Sequence, residues 1–118
     1  HIFAIENIRK SNNWGSSWSP WRAPNLPKVT IPFYLNTSKN VTIDIFDGDL
    51  KVHSMSVNAD KGFNEVVYDV SFSDKGRKAY LKANKEAIIS KAKNGVYYLP
   101  KGTYNVHIGE ASSVFEVK

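Results

Sequence analysis

From Lys28 onward, apolar residues recur at every second position. Val29, Ile31, Phe33 and Leu35 alternate with Thr30, Pro32 and Tyr34. Val41, Ile43 and Ile45 alternate with Thr42 and Asp44, and Val66, Tyr68, Val70 and Phe72 repeat the pattern. A period of two sends alternate side chains to opposite faces of an extended chain, so these segments read as half-buried strands. Pro32 cannot donate to a ladder, which places its strand at an edge or a bulge. The breaks between strands carry turn chemistry. Asn36–Asn40 is polar, Asp47-Gly48-Asp49 closes a hairpin onto Leu50–Val57, and Asn58–Gly62 forms another turn.

The stretch Asp74–Lys93 differs. It is rich in Ala, Lys and Leu and lacks proline. Ser73 or Asp74 can cap a helix start, although Gly76 weakens the first turn. Tyr80, Leu81, Ala83, Ala87, Ile88 and Ala92 form an apolar stripe near helical spacing, and Asn94-Gly95 stops it. This predicts one helix, or two short ones, inserted between strands. Strands then return at Val96–Leu99, Thr103–Ile108 and Ser113–Val117, with turns at Pro100–Gly102 and Gly109–Ala111. Six or seven short strands with one helical insertion around residues 74–93 predict a mainly all-β fold, an antiparallel β-sandwich of immunoglobulin or fibronectin-III type.

Two parts follow from this. Residues 28–118 form the sandwich. Residues 1–27 form an N-terminal strand or lead-in segment, with apolar Ile2, Phe3, Ile5 and Ile8, and then a long loop packing on the domain. Pro20, Pro24 and Pro27 exclude a regular helix or central strand in that loop, so its aromatics must hold it down. At 118 residues the chain supports one core. No apolar run is long enough to span a bilayer. There is no cysteine, which excludes disulfides and thiolate metal sites. The chain opens on His1, with no charged-then-apolar leader. It reads as a fragment or processed product, with any targeting signal expected upstream.

The tail Gly95-Val96-Tyr97-Tyr98-Leu99-Pro100-Lys101-Gly102-Thr103-Tyr104-Asn105-Val106 resembles the closing motif of a bacterial family of immunoglobulin-like domains, akin to that of the flagellar hook-capping protein. Such domains end secreted Bacteroidetes proteins, including sortilin-like propeller proteins labelled glycosyl hydrolase with BNR repeats. Val41–Phe46, the Asp47–Asp49 hairpin and Gly62-Phe63-Asn64-Glu65-Val66-Val67-Tyr68-Asp69 match the middle of the pattern, with Tyr68 where members carry tryptophan. The resemblance implies a secreted or cell-surface location in a bacterium. It also implies a neighbouring upstream domain of the same polypeptide, a β-propeller or a hydrolase-like domain, and a non-catalytic accessory role. The motifs specify a fold and carry no chemistry.

Trp14, Trp18 and Trp21 are the most suggestive candidate site. Their rings could stack on sugar faces, with Asn12, Asn13 and Arg22 holding hydroxyls, making a carbohydrate-binding module the alternative function. Equally, the rings could pin the loop to the sandwich or to a neighbour. Exposure of the rings decides between the two. Asp44, Asp47 and Asp49 offer hard oxygens for calcium, but turn chemistry explains them and the spacing is not that of an EF-hand. His1, His53 and His107 are scattered and show no metal spacing; His53 and His107 read as surface cross-strand residues. Glu65, Asp69 and Asp44 are ordinary sandwich carboxylates, and no Gly-x-Ser-x-Gly elbow occurs. No catalytic residue, metal or cofactor is expected. Asn36-Thr37-Ser38 and Asn40-Val41-Thr42 fit glycosylation sequons and also fit turns. The net charge of +5 is mostly local, in Lys75, Arg77, Lys78, Lys82, Lys85, Lys91 and Lys93. A solvated helix face explains it, an anionic-polymer surface is the rival, and no nucleic-acid motif accompanies it.

Overall fold

The computed structural model describes residues 2–10, 14, 26–86, 89, 91–92 and 95–118. Its elements are β1 (Val29–Leu35), β2 (Lys39–Asp47), β3 (Leu50–Ala59), β4 (Gly62–Tyr68), α1 (Asp74–Ala83), β5 (Gly102–Ile108) and β6 (Ala111–Val117). The strands form two antiparallel sheets, β1-β4 and β3-β2-β5-β6. The crossing from β3 back to β4 changes sheet. The order β3-β2-β5-β6 opposite β1-β4 is that of an immunoglobulin-type sandwich.

The alternation fixes the packing. Val29, Ile31, Phe33 and Leu35 of β1 point inward against Val41, Ile43 and Ile45 of β2 and Tyr104, Val106 and Ile108 of β5. Tyr68, Phe115 and Tyr104 continue the core as an aromatic series, with ring centroids 6.4 and 5.7 Å apart. Burying a phenol needs a partner for its hydroxyl. The Tyr104 hydroxyl donates to the Pro100 carbonyl at 2.6 Å. This is the tyrosine corner of such sandwiches, at the start of the strand it anchors. The Tyr68 hydroxyl donates to the Ser71 carbonyl.

Turns follow from glycine placement. Gly48 and Gly109, with φ of 63° and 59°, open the two-residue turns of the β2–β3 and β5–β6 hairpins. A turn with positive φ at its first central residue matches the twist of the flanking strands, and glycine adopts it without strain. Asn64 clamps the β3–β4 turn. Its side-chain amide donates to Asp60 and Gly62 carbonyls, and its oxygen accepts from the Asp60 amide.

The helix fills only the first part of the predicted stretch. Ser73 caps it, accepting from the Gly76 amide at 3.0 Å, and Asn84 ends it by donating to the Tyr80 carbonyl. A bulge positions it. Between the pairs Ile45–His53 and Phe46–Lys51, Val52 is an extra residue on β3. Its carbonyl accepts from the Ser73 amide at 3.0 Å. Gly76 lies against the same group: a Cβ there would sit 2.0 Å from the Val52 oxygen. The residue that weakens the helix in isolation is the one that lets it reach the sheet edge.

Val96–Leu99, read as a strand, makes a single bridge among the described residues, Tyr98 to Ser71. Its neighbours pair through the Phe72 amide to the Tyr97 carbonyl and the Leu99 amide to the Val70 carbonyl. Val70 adopts φ of 61°, costly for a β-branched residue. That kink breaks the regular ladder before it can extend. The N-terminal segment serves both sheets. Ile2 bridges Phe33 antiparallel, and Ile8 bridges Val117 in parallel.

Two substitutions test this packing. Gly76→Ala gains about 1 kcal/mol of helix propensity but forces a clash with main chain. The net expectation is a loss of about 2 kcal/mol or more in urea unfolding. Tyr104→Phe keeps the ring and orphans the Pro100 carbonyl, and should cost about 1–2 kcal/mol in the same measurement.

Candidate functional site

The two outer faces of the sandwich differ in chemistry. On the four-stranded sheet, the outward residues are Thr42 and Asp44 of β2, Ser54 and Ser56 of β3, Thr103, Asn105 and His107 of β5, and Ser112 and Glu116 of β6. Asp44 accepts from the Ser54 hydroxyl at 2.6 Å and lies 3.7 Å from the Lys51 ammonium. His107 packs edge-on to Phe46, centroids 4.9 Å apart. Val114 is an exposed apolar residue among these polar groups. Such a face is solvated at little cost.

The small sheet is the reverse. Tyr34 of β1 stands opposite Phe63 of β4, and Thr30 stands opposite Val67. Phe63 and Val67 are 59% and 62% exposed, and Tyr34 is 43% exposed. Phe3 joins them. Its amide donates to the Pro32 carbonyl at 2.9 Å, which places its ring 5.7 Å from that of Phe63. Phe3, Pro32, Tyr34, Phe63 and Val67 thus make one apolar surface on a two-stranded sheet, with Glu65 on the same face. Exposed apolar side chains gathered on one face are unusual for the outer side of a sheet. The alternation of β4 shows why it was missed. Val66 and Tyr68 look inward, so Phe63, Glu65 and Val67 must look out, and the sequence pattern alone does not say what lies beyond that face.

Of the three tryptophans only Trp14 lies among the described residues. Trp14 is 7% exposed and sits edge-on to Tyr98, centroids 5.7 Å apart. Lys10 lies over its other side, 4.5 Å from the ring centre, and donates to the Leu99 carbonyl at 3.0 Å. Burial lowers the Lys10 pKa. A ring enclosed in this way offers no open face to a sugar. Trp18, Trp21 and Arg22, with Asn12 and Asn13, lie outside the described residues.

The remaining candidates separate. Asp44 belongs to the polar face, while Asp47 and Asp49 flank the Gly48 hairpin. Among the described residues no three His, Asp or Glu side chains gather as a metal site. Glu65 is outward on β4, and Asp69 accepts from the Ser71 amide and hydroxyl. Lys75, Lys78, Lys82, Lys85 and Lys91 carry exposed side chains, and the Arg77 guanidinium stacks on Tyr97 at 4.3 Å. Lys93 and His1 lie outside the described residues. Among the described residues, no helix is long and apolar enough to cross a membrane.

His53 is half-buried and turned toward the core rather than out to solvent. The Val52 bulge turns it inward, and its ring packs on Tyr68 at 4.9 Å. Its Nδ1 is buried without a hydrogen-bond partner among the described residues. Burial lowers its pKa below the ordinary 6.5, and the nearby Asp69 charge only partly opposes this.

No known family, curated protein or solved structure matches the chain.

The His53 environment predicts a pH dependence. Its folded pKa lies below its unfolded value, so the native state is penalised once the unfolded chain begins to take up the proton. Stability should hold above about pH 6.5 and fall below it, until the pH passes the lowered folded pKa. In urea titrations at pH 7 and pH 5, His53→Phe should lose less stability than the wild type. Equal losses would assign the effect elsewhere.

Proposed function

We propose that the chain is a non-catalytic accessory module of a larger secreted or cell-surface bacterial protein, held to a neighbouring domain of the same polypeptide through its small sheet. The apolar surface of Phe3, Tyr34, Phe63 and Val67 carries this reading. A sandwich normally keeps its outer faces polar and its apolar side chains inside. Here one face follows that rule except at Val114, and the other breaks it at four positions on three adjacent segments. Contacts of that composition suit a permanent neighbour, since a partner that came and went would leave the rings in water. The resemblance of Gly95–Val106 and Gly62–Asp69 to immunoglobulin-like modules of propeller proteins agrees with this role and suggests a β-propeller or hydrolase-like neighbour. In this reading the module positions and covers its neighbour and carries none of its activity.

Hydroxyl-radical footprinting tests the proposal. Phe3, Tyr34 and Phe63 should be oxidised in the isolated module and protected in the full-length protein. Equal oxidation in both would refute it. The double variant Phe63→Ser, Val67→Ser should change the isolated module's stability by no more than about 1 kcal/mol. In the full-length protein it should open the neighbour junction to limited proteolysis.

A further inference from the structure

A cleft of about 990 Å³ opens at the end of the sandwich that carries the β1–β2 and β5–β6 turns. It exists because β5 is staggered along β2 and ends opposite Ile43. β2 pairs with β3 along its whole length, but with β5 only from Ile43, opposite Ile108, to Phe46, opposite Asn105. Lys39, Asn40, Val41 and Thr42 therefore have a partner strand on one side only, and all four line the cleft.

Successive residues of a strand between two neighbours turn their N–H and C=O groups to alternate sides. Two of these four residues must direct both groups into the cleft. No described residue bonds them there. Their spacing along the strand is about 7 Å, the repeat of an extended peptide. The walls follow the same period. Phe33, Leu35, Val41 and Ile108 form an apolar floor, and Asn36, Thr42, Asp44 and Glu110 form a polar rim. We infer that the cleft accepts an extended peptide of three to four residues, added as a strand to the free half of β2. Alternate side chains enter the floor, and those between them face the rim. The groups left open are main-chain donors and acceptors in strand register, a pattern a peptide backbone matches and a sugar does not. Asp44 already lies beside Lys51, which leaves Glu110 as the carboxylate open to a ligand, and an outward lysine suits it. Tyr34 borders both this cleft and the apolar face of the small sheet, but the open main-chain groups belong to β2 of the larger sheet, so the inference does not depend on how that face is used.

The test uses the capped pentapeptide Lys-Val-Thr-Val-Lys and amide NMR of the isolated chain. Millimolar peptide should shift the amides of residues 39–42 and 108–111. At saturation it should slow exchange of the cleft-facing β2 amides about tenfold. The same peptide with N-methylated valines, which cannot complete the ladder, should do neither. The inference is overturned if neither peptide acts, if both act equally, or if cellohexaose shifts these amides in place of the peptide.

Discussion

Two strands cannot cover four. Neighbouring strands lie about 4.8 Å apart, so β1-β4 shields only the middle of β3-β2-β5-β6. The flanks of the larger sheet must be closed by other segments, and much of this molecule answers that need. On the β6 side, Ile8 bridges Val117 and exchanges main-chain bonds with Glu116 and Lys118. On the β3 side, the bulge at Val52 turns a carbonyl outward for Ser73, and Gly76 lets the helix close on it. Neither closure is a regular ladder, and each rests on a few specific bonds.

That constraint explains what the sequence made legible. Alternation identified the strands and their inward sides, because burial against an opposite sheet is a local demand repeated every second residue. Gly48 and Gly109 marked hairpins, since only a two-residue turn with positive φ fits there. The closures were not legible in the same way. One bulge residue reversed the side expected for His53 without disturbing the pattern around it. Val96–Leu99 makes one bridge among the described residues, beside a positive φ at Val70 that the pattern did not announce. Gly76 looked like a flaw in a helix because its reason lies on β3, more than twenty residues away.

The candidate site was partly legible for a related reason. Period two states that Phe63 and Val67 share a face, but not whether water or protein lies beyond it. Only the pairing of Tyr34 with Phe63, and the arrival of Phe3 beside them, shows that three segments build one apolar surface. The tryptophans drew the eye in sequence because they are rare and clustered. Trp14 is instead part of the closure, held between Lys10 and Tyr98.

Amide hydrogen exchange on the isolated chain tests this account most directly. If the closures complete the sandwich, the amides of Phe3, Ile8, Phe72, Ser73, Leu99 and Lys118 should be protected together with those of β2 and β5. Strands that stay protected while these six amides exchange as fast as an open chain would contradict it.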